Sequence, residues 1–295
     1  KKAKIDNREN KPNQLRKDKG TGEVFETNLL VKLLTIVINK LSSLDPEGAG
    51  IEMEANKPGW YDALNGLPGI FGSSTPEVME LFRLIEYLLE KINQTQPTVE
   101  LPEELYDFMK GLHQELISWQ HEEDDFLYWD KTTSLKEKYR DKVFKGISGI
   151  TEDVHYKELY SFLNNGKKRL ESAIEKSYDQ ENGLYNTYYY YQPEKYEKTG
   201  ESSSEGYPCI KVKSFKQQTL PPFLEGQVRA MKIMGERGNA LNLHRSVCKS
   251  ELYDRKLNMY RLNGDLSDMP DDIGRARAFS PGWLENGSIW LHMEY

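Results

Sequence analysis

Cysteine is scarce. Only Cys209 and Cys248 occur among 295 residues, which excludes a disulfide framework of the kind that holds small secreted domains and makes a reduced, cytoplasmic setting the expectation. Long apolar runs are missing too. The most apolar stretch, Leu29 to Leu41, is interrupted by Lys32 and Lys40 and is shorter than the ~20 residues a bilayer span needs, so no transmembrane helix is expected. The opening KKAKIDNRENKPNQLRKDKG has no apolar core of signal-peptide form behind it, and a start on Lys is what a piece of a longer chain would show. Basic residues are outnumbered, 40 Lys and Arg against 47 Asp and Glu for a net charge of −7, which disfavours a global attraction to nucleic acid or an anionic membrane. No phosphate-binding glycine loop, CxxC pair or HExxH motif is found. The hydrophobic fraction is only 37% and the mean hydropathy −0.75, yet 10 Phe, 5 Trp and 18 Tyr argue for a folded, aromatic-rich chain.

Residues 1–22 hold eight Lys and Arg against three Asp and Glu and read as a basic connector or surface segment. Residues 23–295 read as one catalytic portion. Within it, Leu29, Leu30, Leu33, Leu34, Val37, Ile38 and Leu41 share one helical face. Ser74-Thr75-Pro76-Glu77 is a helix start with Pro at its first turn, and further helices are predicted over Pro102–Trp119, Ser134–Phe144, Val154–Tyr178, Leu224–Met234 and from Leu284 to the end. Near 183–218, LYNTYYYYQ and YPCIKVKSF are strand-forming runs around a polar connection, which predicts a small β-hairpin insertion. If Tyr188 to Tyr191 form a strand, alternation predicts two buried rings and two exposed ones. The whole pattern is mainly α and suits a helical toroid whose loops gather at one end. The apolar face begun at Leu284 has no continuation after Tyr295, as expected of an incomplete portion of a larger unit.

Asn56 to Ser74, NKPGWYDALNGLPGIFGSS, sets Trp60, Tyr61, Asp62 and Asn65 among glycines on a loop. Glycines admit close backbone approach, Trp offers a flat face to a sugar ring, and a carboxyl in an aromatic setting can retain a proton as a general acid needs. The plainer reading makes Asp62 a helix cap before Ala63 and Trp60 a core plug. In FSPGWLENGSIWLHME, Trp283, Glu285, Asn286, Trp290 and His292 crowd the start of a predicted helix. There an imidazole and free N–H groups suit an anion, and Arg275 and Arg277 can add bidentate phosphate contacts. A structural His and surface arginines are the alternatives. Glu225 sits at a helix start as a sugar ligand or base, or as a partner of the helix dipole. His113, Trp119, His121 and the acids 122–125 point in several directions from one helix, so no metal site is expected.

The pair GWYDALNG (Gly59 to Gly66) and PGWLENGSIWLH (Pro281 to His292) resembles the cellobiose and chitobiose phosphorylase family of inverting glycoside phosphorylases, especially large bacterial proteins described as cellobiose phosphorylase-like. Trp60 matches the motif's Trp, Asp62 its general acid and His292 the later phosphate-binding His, with Glu285, Asn286, Gly287 and Ile289 aligned between. Gly59, Tyr61 and Ser288 depart from it, which touches substrate assignment more than reaction type. The close matches span few residues of the chain. The resemblance implies a mainly α fold, an incomplete portion of an (α/α)6 barrel, belonging to a longer polypeptide that acts as an enzyme. It would carry out inverting phosphorolysis of a β-linked gluco-oligosaccharide to an α-sugar 1-phosphate. Asp62 would be the acid, Trp60, Tyr61, Asn65, Trp283 and Glu285 the sugar contacts, and His292, Arg275 and Arg277 the phosphate ligands. Inorganic phosphate would be the co-substrate, with no organic cofactor, and a homodimer is one assembly option. Two alternatives stay open: an inverting hydrolase with Glu285 or Glu225 as base, and a carbohydrate-binding or scaffold portion without turnover.

Overall fold

The chain alternates short strands with long helices. The computed structural model describes residues 14–53, 71–203, 206–235, 237–273, 275–284 and 286–290. In chain order it runs through α1 (Leu29–Leu41), β1 (Ile51–Glu52), β2 (Phe71–Ser74), α2 (Thr75–Thr95), β3 (Thr98–Pro102) and α3 (Glu103–Glu122). There follow α4 (Asp125–Val143), β4 (Thr151–His155), α5 (Tyr156–Ser177), β5 (Tyr178–Asp179), β6 (Leu184–Tyr185), β7 (Tyr188–Ser202) and β8 (Pro208–Thr219). Then come α6 (Leu224–Ile233), α7 (Arg237–Lys249), β9 (Tyr253–Asp254) and β10 (Met259–Tyr260), followed by two short 3-10 helices, Asp271–Ile273 and Arg275–Ala278. With 50% helix and 23% strand among the described residues and a four-stranded antiparallel sheet, this is a mixed α/β fold. The mainly α (α/α)6 barrel expected from the sequence is therefore incorrect. Strands as short as IE, FGSS and TVELP carry too few residues to show a period of two, and their partners lie far along the chain, so the helical periods are the stronger local signal. No described helix is long and apolar enough to cross a membrane.

Two compact units divide the chain, Lys1–Ser43 with Arg83–Arg169 and Leu44–Phe82 with Leu170–Tyr295. In the first, α1 begins at Asn28, whose side chain accepts from the Val31 N–H at 3.0 Å. It buries Val31, Leu34, Val37, Ile38 and Leu41, the face its apolar spacing predicts. Gly166 of α5 lets that helix come close: a Cβ there would lie 2.7 Å from a Leu41 methyl. Strand β3 pairs antiparallel with β4, Thr98 opposite His155 and Pro102 opposite Thr151. Val154, expected in a helix, is thus a strand residue, and α4 begins at Asp125, well before Ser134. The polar run 119–125 is a helical corner. Glu123 ends α3 at φ 52°, Asp124 caps α4 by accepting from Leu127 N at 2.8 Å, and Asp125 pairs with the fully buried Arg169 at 2.8 Å.

Glu104, also in this unit, is buried, which by itself raises its carboxyl. The Lys19 ammonium at 2.5 Å and the Ser148 N–H at 2.7 Å outweigh that and hold it below the usual range. A depressed folded-state value contributes stability that is full above the unfolded value near 4.5 and is lost as pH falls through the folded one. Lys19 is half exposed and screened, so Glu104→Gln is expected to cost about 1 kcal/mol at pH 7. In urea titrations from pH 7 to pH 3 the gap to wild type should close; a gap constant with pH would contradict it.

The second unit is built on the sheet β1-β2-β7-β8, all neighbours antiparallel. The predicted hairpin is present as β7 and β8, but it is joined to β2 through Phe71↔Tyr191 to Ser74↔Tyr188. All four tyrosines are buried, against the two-in, two-out expectation. The cause is a core on each face of β7. Tyr188 and Tyr190 join Leu220, Phe223, Leu262 and Leu266 on one side, and Tyr189 and Tyr191 join Ala49 and Phe215 on the other. The Thr75 hydroxyl donates to Asn186 O at 2.7 Å, which ties the start of α2 to the chain entering β7.

Candidate functional site

The 54–70 segment, with Trp60, Tyr61, Asp62 and Asn65, lies outside the described residues, but both of its ends are held. Ile51 pairs with Ser74, Glu52 with Ser73, and Met53 N donates to Gly72 O at 2.9 Å. Beneath this junction Asp45 is fully buried. One carboxylate oxygen accepts from Glu47 N at 3.2 Å and Ala49 N at 2.9 Å, the other from Gly50 N and the Ser73 hydroxyl, both at 2.6 Å. Burial pushes the Asp45 carboxyl up, against the pull of Ser73, the backbone donors and the Tyr191 hydroxyl. Burial and the Asp45 charge push the Tyr191 hydroxyl up in turn, and Tyr189, mainly desolvated, is raised to about 12. Gly50 has no alternative, because a Cβ would stand 2.6 Å from the Ser73 hydroxyl. Either orientation of an amide at position 45 would turn an NH2 toward a buried backbone N–H. Asp45→Asn is therefore expected to cost about 2 kcal/mol, read as a lower denaturation midpoint; an unchanged midpoint would remove Asp45 as the anchor of this junction.

Among the described residues through Trp290, the second motif does not form the helix expected from Leu284. Gly282 at φ 87°, Leu284 at φ 47° and Gly287 at φ 71° turn the backbone out of the helical region. Two buried asparagines then fix the turn. Asn286 accepts from Leu266 N at 2.9 Å and donates to Phe279 O at 2.8 Å, while Asn263 accepts from Gly287 N at 2.9 Å. Asn263 went unnoticed in the sequence, since nothing in LNGD announces a partner far along the chain. Trp283 is 60% exposed and meets Phe279 edge-on at 5.5 Å. Arg277 forms an ion pair with Asp271, and its inward Nε has no hydrogen-bond partner among the described residues. The Arg275 side chain, Glu285 and His292 lie outside the described residues.

Glu225, in the first turn of α6, is buried. It accepts from the Tyr188 hydroxyl at 2.8 Å and pairs with Arg229 Nε at 3.5 Å, and Arg229 also holds Glu80 at 2.7 Å. Tyr188 belongs to the apolar cluster of Leu220, Phe223, Leu262, Leu266 and Ile273, and Met53 and Trp290 both pack against that cluster. In sequence, Met53 immediately precedes the 54–70 segment and Trp290 stands two residues before His292. Leu220 of the same cluster also lines an open cleft of about 880 Å³ with Asp179, Asn182, Asn186, Lys249 and Glu251, a volume in the range of small-molecule sites. There the Asn182 side chain and backbone N–H groups hold the Asp179 carboxyl below its usual range, which suits a hydrogen-bond acceptor more than an acid. Among the described residues no group of three or more His, Cys, Asp or Glu side chains is placed to hold a metal ion. No protein-family model matches the chain, and no curated protein matches its sequence.

Proposed function

We propose that this chain carries the acid and phosphate motifs of an inverting glycoside phosphorylase. The enzyme would cleave a β-linked gluco-oligosaccharide with inorganic phosphate and release an α-sugar 1-phosphate. The reading rests on the two motifs alone, since the barrel that the same resemblance implies is not the fold of this chain. The observation that supports it is that Met53, next in sequence to the 54–70 segment, and Trp290, within the second motif, pack against one apolar cluster.

Inverting glycosidases need an acid for the leaving oxygen and a base for water on the opposite face of the sugar. Phosphate is already an anionic nucleophile, so a phosphorylase replaces the base by groups that hold the anion. In this reading Asp62 protonates the glycosidic oxygen while His292, with Arg275 and Arg277, holds phosphate for attack at the anomeric carbon. Trp60, Tyr61, Asn65, Trp283 and Glu285 present the sugar. Cellobiose and β-1,3-gluco-oligosaccharides are equally good candidates as substrate. Glu225 is engaged by Tyr188 and Arg229, which argues against it as a hydrolytic base and leaves Glu285 as the other candidate for that role. A cytoplasmic setting belongs to the same reading, supported by two free cysteines, as does action within a longer polypeptide.

The test is phosphate release from a panel of sugar 1-phosphates with glucose or gluco-oligosaccharide acceptors, using the longest natural polypeptide that carries this sequence. Release with one sugar 1-phosphate supports the proposal and names the sugar. Sugar release without phosphate would assign a hydrolase, and no turnover by folded protein that still binds glycan would assign a binding portion.

A further inference from the structure

Beyond the sheet, β7 and β8 continue as a two-stranded ribbon. Strand β2 covers β7 only over Tyr188–Tyr191. From Gln192 to Ser202 every residue of β7 is exposed, and among the described residues only β8 pairs with it. Isolated two-stranded ribbons are marginal in water, and a free edge is a template for another strand.

The outer edge of β7 reads Glu194-Lys195-Tyr196-Glu197-Lys198. Laid antiparallel on itself about Tyr196, it sets Glu194 opposite Lys198 and Lys195 opposite Glu197, so every charge of the segment meets its opposite. A parallel arrangement in register would set Glu on Glu and Lys on Lys. Tyr196, 53% exposed, would meet its own copy, and with Val212 directly across from it in β8 would extend an apolar row over the four strands. The other edge, β8, carries Lys211, Lys213 and Lys216, which repel a second copy of themselves. Tyr196 to Lys198 pairs with β8 in regular register, whereas the register shifts on both sides of Lys195 and Glu194 accepts from the exposed Ser214 hydroxyl at 2.9 Å. The present partner of Glu197, Lys213 at 3.2 Å, is an exposed pair that is cheaply exchanged.

We propose that the free edge of β7 is an interface with a second copy of this chain, the two ribbons pairing antiparallel about Tyr196 on a two-fold axis. A two-fold contact of this kind is self-complementary by construction, as the charge order requires.

The test is sedimentation of wild type and of two charge variants, Glu194→Lys with Glu197→Lys and Lys195→Glu with Lys198→Glu. Over about 1–100 µM at low salt, wild type should rise from 34.3 kDa toward twice that mass, and each variant alone should associate at least tenfold more weakly. Mixing the two variants in equal amounts should restore association, because each then supplies the charge the other needs. That rescue also shows both variants to be folded. A wild type that stays monomeric, a dimer that survives both variants, or a mixture that fails to associate would each overturn the proposal.

Discussion

Asp62→Asn is expected to lower phosphorolysis of an unactivated β-glucoside by about 10²–10⁴-fold, the usual contribution of a positioned proton donor. The effect follows from the leaving group. An alkoxide departing from the anomeric carbon is a strong base and needs its proton in the transition state, whereas a nitrophenolate leaves without one. The same variant should therefore lose far less activity with a nitrophenyl β-glycoside and phosphate. An amide of nearly the same size at position 62 keeps the shape of the side chain, so the melting transition serves as a control. Equal losses on both substrates would show that Asp62 binds sugar or shapes its loop rather than donating a proton.

The second large effect concerns stability. The Arg169 side chain is fully buried, its guanidinium 4.3 Å from the Trp119 ring centre, 5.0 Å from that of Tyr128, and 2.8 Å from Asp125. The Trp119 ring N–H donates to the same Asp125 oxygen at 3.0 Å. Arg169→Met removes the cation and leaves the carboxylate among aromatic rings, at an expected cost of about 3 kcal/mol. For a chain of this size that lowers the thermal midpoint by roughly 5–10 °C. Asp125→Asn in the Arg169→Met background should recover part of the loss, because the buried charge goes while an acceptor for Trp119 stays. Strict additivity of the two substitutions would show that the pair is not coupled.

Local signals in the sequence were reliable where the structure depends on local interactions. The apolar face of α1 is written within a few residues, and the strand-forming character of the tyrosine run and of YPCIKVKSF marks β7 and β8. Pairings across long separations were not legible. Thr98–Pro102 finds Thr151–His155, and Phe71–Ser74 finds Tyr188–Tyr191, through registers that no local pattern announces. The same distance hid the second core face that buries Tyr189 and Tyr191, and the Asn263 and Asn286 bonds that replace a helix after Leu284. At the candidate site, motif spacing singled out Asp62 and His292, whereas the shared cluster under Met53 and Trp290 and the buried Asp45 anchor emerge only from the fold. Arg277, a candidate phosphate contact, forms an ion pair with Asp271.

The most direct measurement follows β-linked gluco-oligosaccharide and inorganic phosphate by phosphorus NMR. An inverting phosphorylase would give an α-sugar 1-phosphate in step with phosphate consumed, and no cleavage when phosphate is left out. A β-anomer, or free sugar formed equally well without phosphate, would contradict the account.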